Sequence, residues 1–206
     1  LLKIPPRCSL KLVVSPGDWL LALPMLAQDY LSWSRQMTGL LQGQRAGWSA
    51  KWRQLCEGLD PLAPADENRL AAIADAWTAY LHQCKQEGLH FIQPGRFVLP
   101  GDLAGAPALQ FFPWPDVDGV GESTLAQADK HTNAGMLRER YHYYCEKVVK
   151  GFYKNHFLRF DRQIVLVDCL QPLNSGPQAF NDMRLAPTQV MQSFHYRHRT
   201  PVRRAF

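Results

Sequence analysis

Gln163-Ile164-Val165-Leu166-Val167-Asp168 places four consecutive branched apolar residues in front of a carboxylate. Such a run has neither the two-residue nor the 3.6-residue period that would leave one face polar. It therefore reads as a strand buried on both faces of a parallel sheet. A second strand is expected at Leu10-Lys11-Leu12-Val13-Val14, where Ser15-Pro16-Gly17 stops it in a tight turn. Helical periodicity follows each strand. Strand, turn and helix in this order are the pieces of an open α/β sheet, in which ligands sit beyond the carboxyl ends of the strands. The expected fold class is α/β, a partial parallel sheet carrying a large, mostly helical insertion. Long helical crossovers predict that the two strands lie side by side and parallel.

The helices are read from apolar spacing. Trp19, Leu20, Leu23, Leu26, Tyr30 and Leu31 recur before Gly39, with Pro24 as a kink, and Trp48, Trp52 and Leu55 form a short stripe within 48–59. The strongest pattern runs from Ala65 to Glu87. Asp66 and Glu67 favour the dipole at its start, Gly88 lies just past its end, and Leu70, Ile73, Trp77, Leu81 and Cys84 share one face. Residues 89–121 are rich in Pro and Gly and hold short apolar runs at Phe91-Ile92, at Phe97 to Leu99 and at Leu109 to Phe112, read as brief strands or an ordered loop. A long helix is expected over 125–153 with Leu137, Tyr141, Tyr144, Val148 and Phe152 inward. A last helix is expected over 178–194, with Phe180, Met183, Val190 and Phe194 inward and Pro187 as an interruption.

Composition narrows the function classes. A 46% hydrophobic share with 20% charged residues is that of a globular chain, no window reaches the apolar length of a membrane span, and no basic, apolar and small-residue series marks a secretory leader. Five widely spaced cysteines without a C-x-x-C pair read as buried thiols of a cytoplasmic protein. The net charge of +5 is concentrated late: residues 131–206 hold 12 Lys and Arg against 5 Asp and Glu. A basic stretch of this kind is either a solvated helix face or a surface that attracts phosphates, nucleic acid or anionic membranes. A nucleic-acid partner is not expected.

Chemistry is sought at the ends of the two expected strands, Val14 to Asp18 and Asp168 to Ser175. A carboxylate after four apolar residues is a Walker-B-like arrangement able to hold Mg²⁺ directly or through water, so Asp168 is a candidate metal residue; capping the next turn is the plainer role. Val14-Ser15-Pro16-Gly17 has the outline of a D-x-x-G switch turn with valine where the carboxylate would stand. Pro16, Gly17 and Asp18 are the candidate nucleotide-binding residues, with Asp18 alternatively an N-cap. No G-x-x-x-x-G-K-[ST] loop and no N-K-x-D motif is present. His195 and His198 lack a third ligand, and no residue is singled out as catalytic.

Two stretches carry a family resemblance. P-G-D-W-L-L-A-L-P-M-L from Pro16, continued by D-Y-L-S-W-S-R from Asp29, and F-Y-K-N-H-F-L-R-F-D-R-Q-I-V-L-V-D-C-L-Q-P-L-N-S-G-P-Q-A-F-N-D-M-R from Phe152 to Arg184 resemble the interior of the YcjX family of stress-associated P-loop NTPases, as does G-L-D-P-L-A-P-A-D-E-N-R-L from Gly58. The resemblance implies a P-loop NTPase-type sheet, with a phosphate loop upstream and a base-reading motif downstream of these residues. It implies GTP or ATP binding with hydrolysis in the full-length family, with Mg²⁺ as cofactor and neither expected on this stretch alone. On this reading 1–26 hold a strand and switch-like turn of the core, 27–121 the helical insertion, and 122–206 a helix, the central strand and the helix after it. The family pattern is similar to D-Y-P-G-[ED]-W, so Val14 replaces its Asp and Ser15 its Tyr. The competing reading is a non-catalytic interaction module that docks a protein or an anionic membrane.

Overall fold

The computed structural model describes residues 17–155 and 164–192. The order begins with α1 (Gly17–Leu20), a 3-10 turn (Leu23–Ala27), α2 (Tyr30–Gly39), α3 (Gln44–Trp48), α4 (Ala50–Cys56) and α5 (Glu67–Gln86). It continues through α6 (Gly95–Val98), α7 (Val117–Val120), α8 (Glu122–Gln127) and α9 (Asn133–Tyr143), which passes through a π-helical turn (Tyr144–Val149) into α10 (Lys150–Asn155). The last elements are α11 (Leu170–Ser175) and α12 (Pro177–Gln192).

The expected α/β sheet is not what these residues form. Among the described residues there is no strand, and the single sheet-type pairing is an isolated antiparallel bridge between Pro64 and Thr132. Ile164, Val165, Leu166 and Val167 are irregular and exposed, with Ile164 at 84% and Leu166 at 90%. The reason is physical: a run suited to the middle of a sheet becomes a strand only when neighbours pair its backbone on both sides, and no described segment does so. The other expected strand, residues 10–14, lies outside the described residues. The apolar runs of 89–121 are not strands either: Gly95–Val98 is a helical turn, and Phe91, Phe97, Phe111 and Phe112 are core side chains.

Helix α5 shows how local signals and packing agree. Asp66 is its N-cap, with its side chain accepting from the Arg69 N–H at 3.1 Å. At the other end the Leu89 N–H reaches the Cys84 carbonyl at 3.0 Å and the Gly88 N–H that of Lys85 at 3.1 Å. This closure requires the left-handed φ of +77° that Gly88 adopts. Leu70, Ile73, Trp77, Leu81 and Cys84 are all buried. The expected long helix over 125–153 is instead broken between α8 and α9, although Leu137, Tyr141, Tyr144 and Phe152 do face the core.

That core is aromatic. Trp33 packs against Phe111 and Tyr141 with centroids 5.4 and 5.2 Å apart, and Trp77 lies between Trp52 and Tyr80 at 4.9 and 4.8 Å. One continuous cluster of buried apolar side chains includes residues from Ala22 to Ala186. It binds α2, α5, α9 and α12 to each other. Leu55, expected inward, is partly exposed, and the thiols of Cys56, Cys84 and Cys145 are buried whereas that of Cys169 is not.

Candidate functional site

A cleft of about 470 Å³ opens between α1, the turn after α5 and the pair α11–α12, with Gly17, Leu21, Ile92, Asp168 and Met183 among its walls. Gly17 and Asp168, one from each of the two strand-end regions singled out in the sequence, line one cavity. Asp18 belongs to the same helical turn, α1. Val14 and Pro16 lie outside the described residues, as do His195 and His198.

Asp168 is held by the backbone that follows it. Its Oδ1 accepts from the N–H groups of Leu170 at 3.0 Å and Gln171 at 3.3 Å, which satisfies donors at the start of α11. This is the plainer of the two roles its sequence position allows. At Gly17 the backbone begins α1, its carbonyl accepting from the Leu21 N–H at 3.2 Å, and a Cβ built there would meet no atom of the described residues within 4 Å.

Behind the cleft lies a polar network that the sequence reading does not single out. Asp182 of α12 and Arg45 of α3 are 8% and 4% exposed and form an ion pair at 2.5 Å. The second oxygen of Asp182 accepts from the His90 and Phe91 N–H groups, each at 2.7 Å. Arg45 also donates to the Tyr80 hydroxyl at 2.9 Å and to the Phe91 carbonyl at 2.8 Å. Burial opposes the charge on Arg45, but Tyr80, Asp182 and Cys84 outweigh it and hold the guanidinium proton more tightly than usual. Burial likewise pushes the Tyr80 hydroxyl up. The signal in the sequence is an Asp beside the apolar positions Ala179, Met183, Ala186 and Val190 of one helix face.

A second buried polar residue, Gln93, is 1% exposed and donates from Nε2 to the Leu21 carbonyl at 2.6 Å. The amide orientation follows from the partner, since only its nitrogen can face a carbonyl oxygen. Tyr141 holds the next turn, its hydroxyl contacting the Met25 and Gln28 carbonyls at 3.2 and 3.1 Å.

Among the described residues no group of three His, Cys, Asp or Glu side chains could hold a metal ion. Asp168 is the one described carboxylate on the cleft, whose lining is otherwise largely apolar. The G-x-x-x-x-G-K-[ST] motif, whose backbone N–H groups cradle phosphates, does not occur in the 206-residue sequence.

What the fold and the cleft define is a helical unit that gathers two distant loop ends. The chain belongs to the YcjX-like family: the family model described as YcjX-like family, DUF463, matches residues 2–206. A relative from Escherichia coli (strain K12), named Ras-like GTPase YcjX, is 84% identical over 197 residues, covering 96% of this chain and 42% of the relative. One of the same name from Shewanella oneidensis is 42% identical over 199 residues, covering 96% of this chain and 41% of the relative. The chain thus spans about two fifths of the length of these relatives. No helix among the described residues is long and apolar enough to cross a membrane.

Proposed function

We propose that this chain is the middle section of a YcjX-like GTPase, acting in the cytoplasm, in which Pro16, Gly17, Asp18 and Asp168 border a nucleotide site whose phosphate- and base-holding groups lie in other parts of the whole protein. The observation that carries this reading is the meeting of Gly17 and Asp168 in one cleft, two segments far apart in sequence. Residues 27–121 are the helical insertion of that protein. The exposed Ile164, Leu166 and Leu170 are covered in it by residues outside this stretch. By itself the stretch turns over no nucleotide.

The test grafts these 206 residues into the matching part of the E. coli relative. Isothermal titration should find saturable micromolar GTP binding by the graft and none by the isolated chain, with ATP titrated in parallel. Val14 offers no ligand where the family pattern has Asp, and losing one preorganised electrostatic contact commonly lowers turnover about 10²–10³-fold. Val14→Asp in the graft should therefore raise GTP hydrolysis at least tenfold. A graft that binds no nucleotide would favour the docking-module reading, and equal turnover with Val or Asp would remove the switch assignment from this turn.

A further inference from the structure

The two walls of the cleft are tied to the same short segment. His90–Gln93 follows α5 as irregular backbone, and Phe91, Ile92 and Gln93 are buried. On one side Gln93 holds the Leu21 carbonyl, and the Leu21 N–H in turn holds the carbonyl of Gly17. On the other side Asp182 of α12 takes the N–H groups of His90 and Phe91. Helix α12 packs along α11, whose first turn is closed by Asp168. The Gln171 side chain of α11 rests 3.0 Å from where a Cβ on Gly88 would stand. A chain of hydrogen bonds and packed backbone thus runs from Gly17 through Leu21, Gln93, Phe91 and Asp182 to α11.

The polar groups in this chain are costly places to keep polarity. Gln93 satisfies its nitrogen at Leu21, but its Oε1 is buried with no partner among the described residues. An apolar side chain of similar shape would avoid that penalty. A buried amide kept at such a point fixes the position of the backbone it grips, since a hydrogen bond specifies distance and direction where apolar contact does not.

We infer that His90–Gln93 is a strut that sets the separation of the Gly17 and Asp168 walls, with Gln93 and Asp182 as positioning residues for the hydrolysis of GTP. This rests on the reading of the cleft as the border of the nucleotide site. Neither residue touches substrate. Their effect is exerted through Leu21 and α12, and a small change in wall spacing alters the rate far more than the binding of a nucleotide gripped elsewhere.

Gln93→Leu is the probe, because it removes the donor to Leu21 at nearly constant volume. Hydrogen exchange on the 206-residue chain reads the strut without reference to activity. The variant should speed exchange at Leu21 and also, at least threefold, at Leu170 and Gln171 on the opposite wall. A change confined to Leu21 overturns the strut. In the graft carrying Val14→Asp, Gln93→Leu should lower kcat per bound GTP at least tenfold while KM moves less than twofold. Leu137→Ala serves as the control for simple loss of stability and should leave kcat per bound nucleotide unchanged. Equal kcat with and without the Gln93→Leu substitution overturns the positioning role. A parent graft that hydrolyses no GTP overturns the nucleotide reading instead, and the exchange result then decides the strut.

Discussion

Replacing Asp182 tests the energetics of the buried network directly. Its carboxylate serves three donors, the Arg45 guanidinium and the N–H groups of His90 and Phe91. Asp182→Ala leaves a charge that is 4% exposed without its counter-ion, and removing one partner of a buried ion pair costs roughly 3–5 kcal/mol. The two orphaned N–H groups cost about 1–3 kcal/mol each if they stay dry, so part of this adds to the first figure. For a chain of this size each kcal/mol moves Tm by about 2–4 °C, which places the expected fall from the ion pair alone at roughly 6–20 °C. Urea unfolding followed by tryptophan fluorescence suits the measurement, because Trp33, Trp52, Trp77 and Trp114 are all buried. Asp182→Asn keeps an acceptor and the shape, and should lose less than Asp182→Ala. In a double-mutant cycle, Arg45→Met with Asp182→Asn should show a coupling on the order of 2 kcal/mol, within the span of residues sharing a network. A loss below about 1 kcal/mol for Asp182→Ala would refute the argument, since surface substitutions cost that little.

Other outcomes follow from single contacts. Asp29 caps α2 by accepting from the Ser32 N–H at 2.7 Å, so Asp29→Ala should cost about 1 kcal/mol at pH 7 by urea titration. That hydrogen bond holds the Asp29 carboxyl below its ordinary 3.8, so the contribution is present above that pH and is lost as pH falls through the lowered value; the variant and parent should converge at strongly acid pH. Phe111→Ala empties a site 0% exposed between Trp33, Phe97 and Tyr141, and thermal melts should report a loss of about 3–5 kcal/mol. Gly135→Ala should destabilise α9 despite the better helix propensity of alanine, about 1 kcal/mol, because its Cβ would collide with the Asp129 carbonyl; a more stable variant would contradict the geometry. Burial pushes the thiols of Cys56 and Cys145 up to about 12, so iodoacetamide at pH 8 with peptide mapping should label Cys169 well before either.

Much of the helical framework can be read from the chain. Asp66, Gly88 and the stripe from Leu70 to Cys84 locate α5 within two residues, because a cap, a stop and a 3.6-residue period are local and here agree with burial. The motifs from Pro16 and from Phe152 to Arg184 place the chain in its family, since a long match of specific residues needs no fold to be recognised. Gly17 and Asp168 are singled out as site candidates by a different route, as the turn and the carboxylate that end the two expected strands. The run from Ile164 to Val167 reads as a strand and is not one, because β propensity states what a residue suits and leaves open whether a neighbour is there to pair with it. Arg45 and Asp182, 137 positions apart, and Gln93 and Leu21, 72 apart, have no sequence signal linking them. Only tertiary packing brings these groups to 2.5 and 2.6 Å of each other, and only the low dielectric it creates turns ordinary polar residues into the ties between the walls of the cleft.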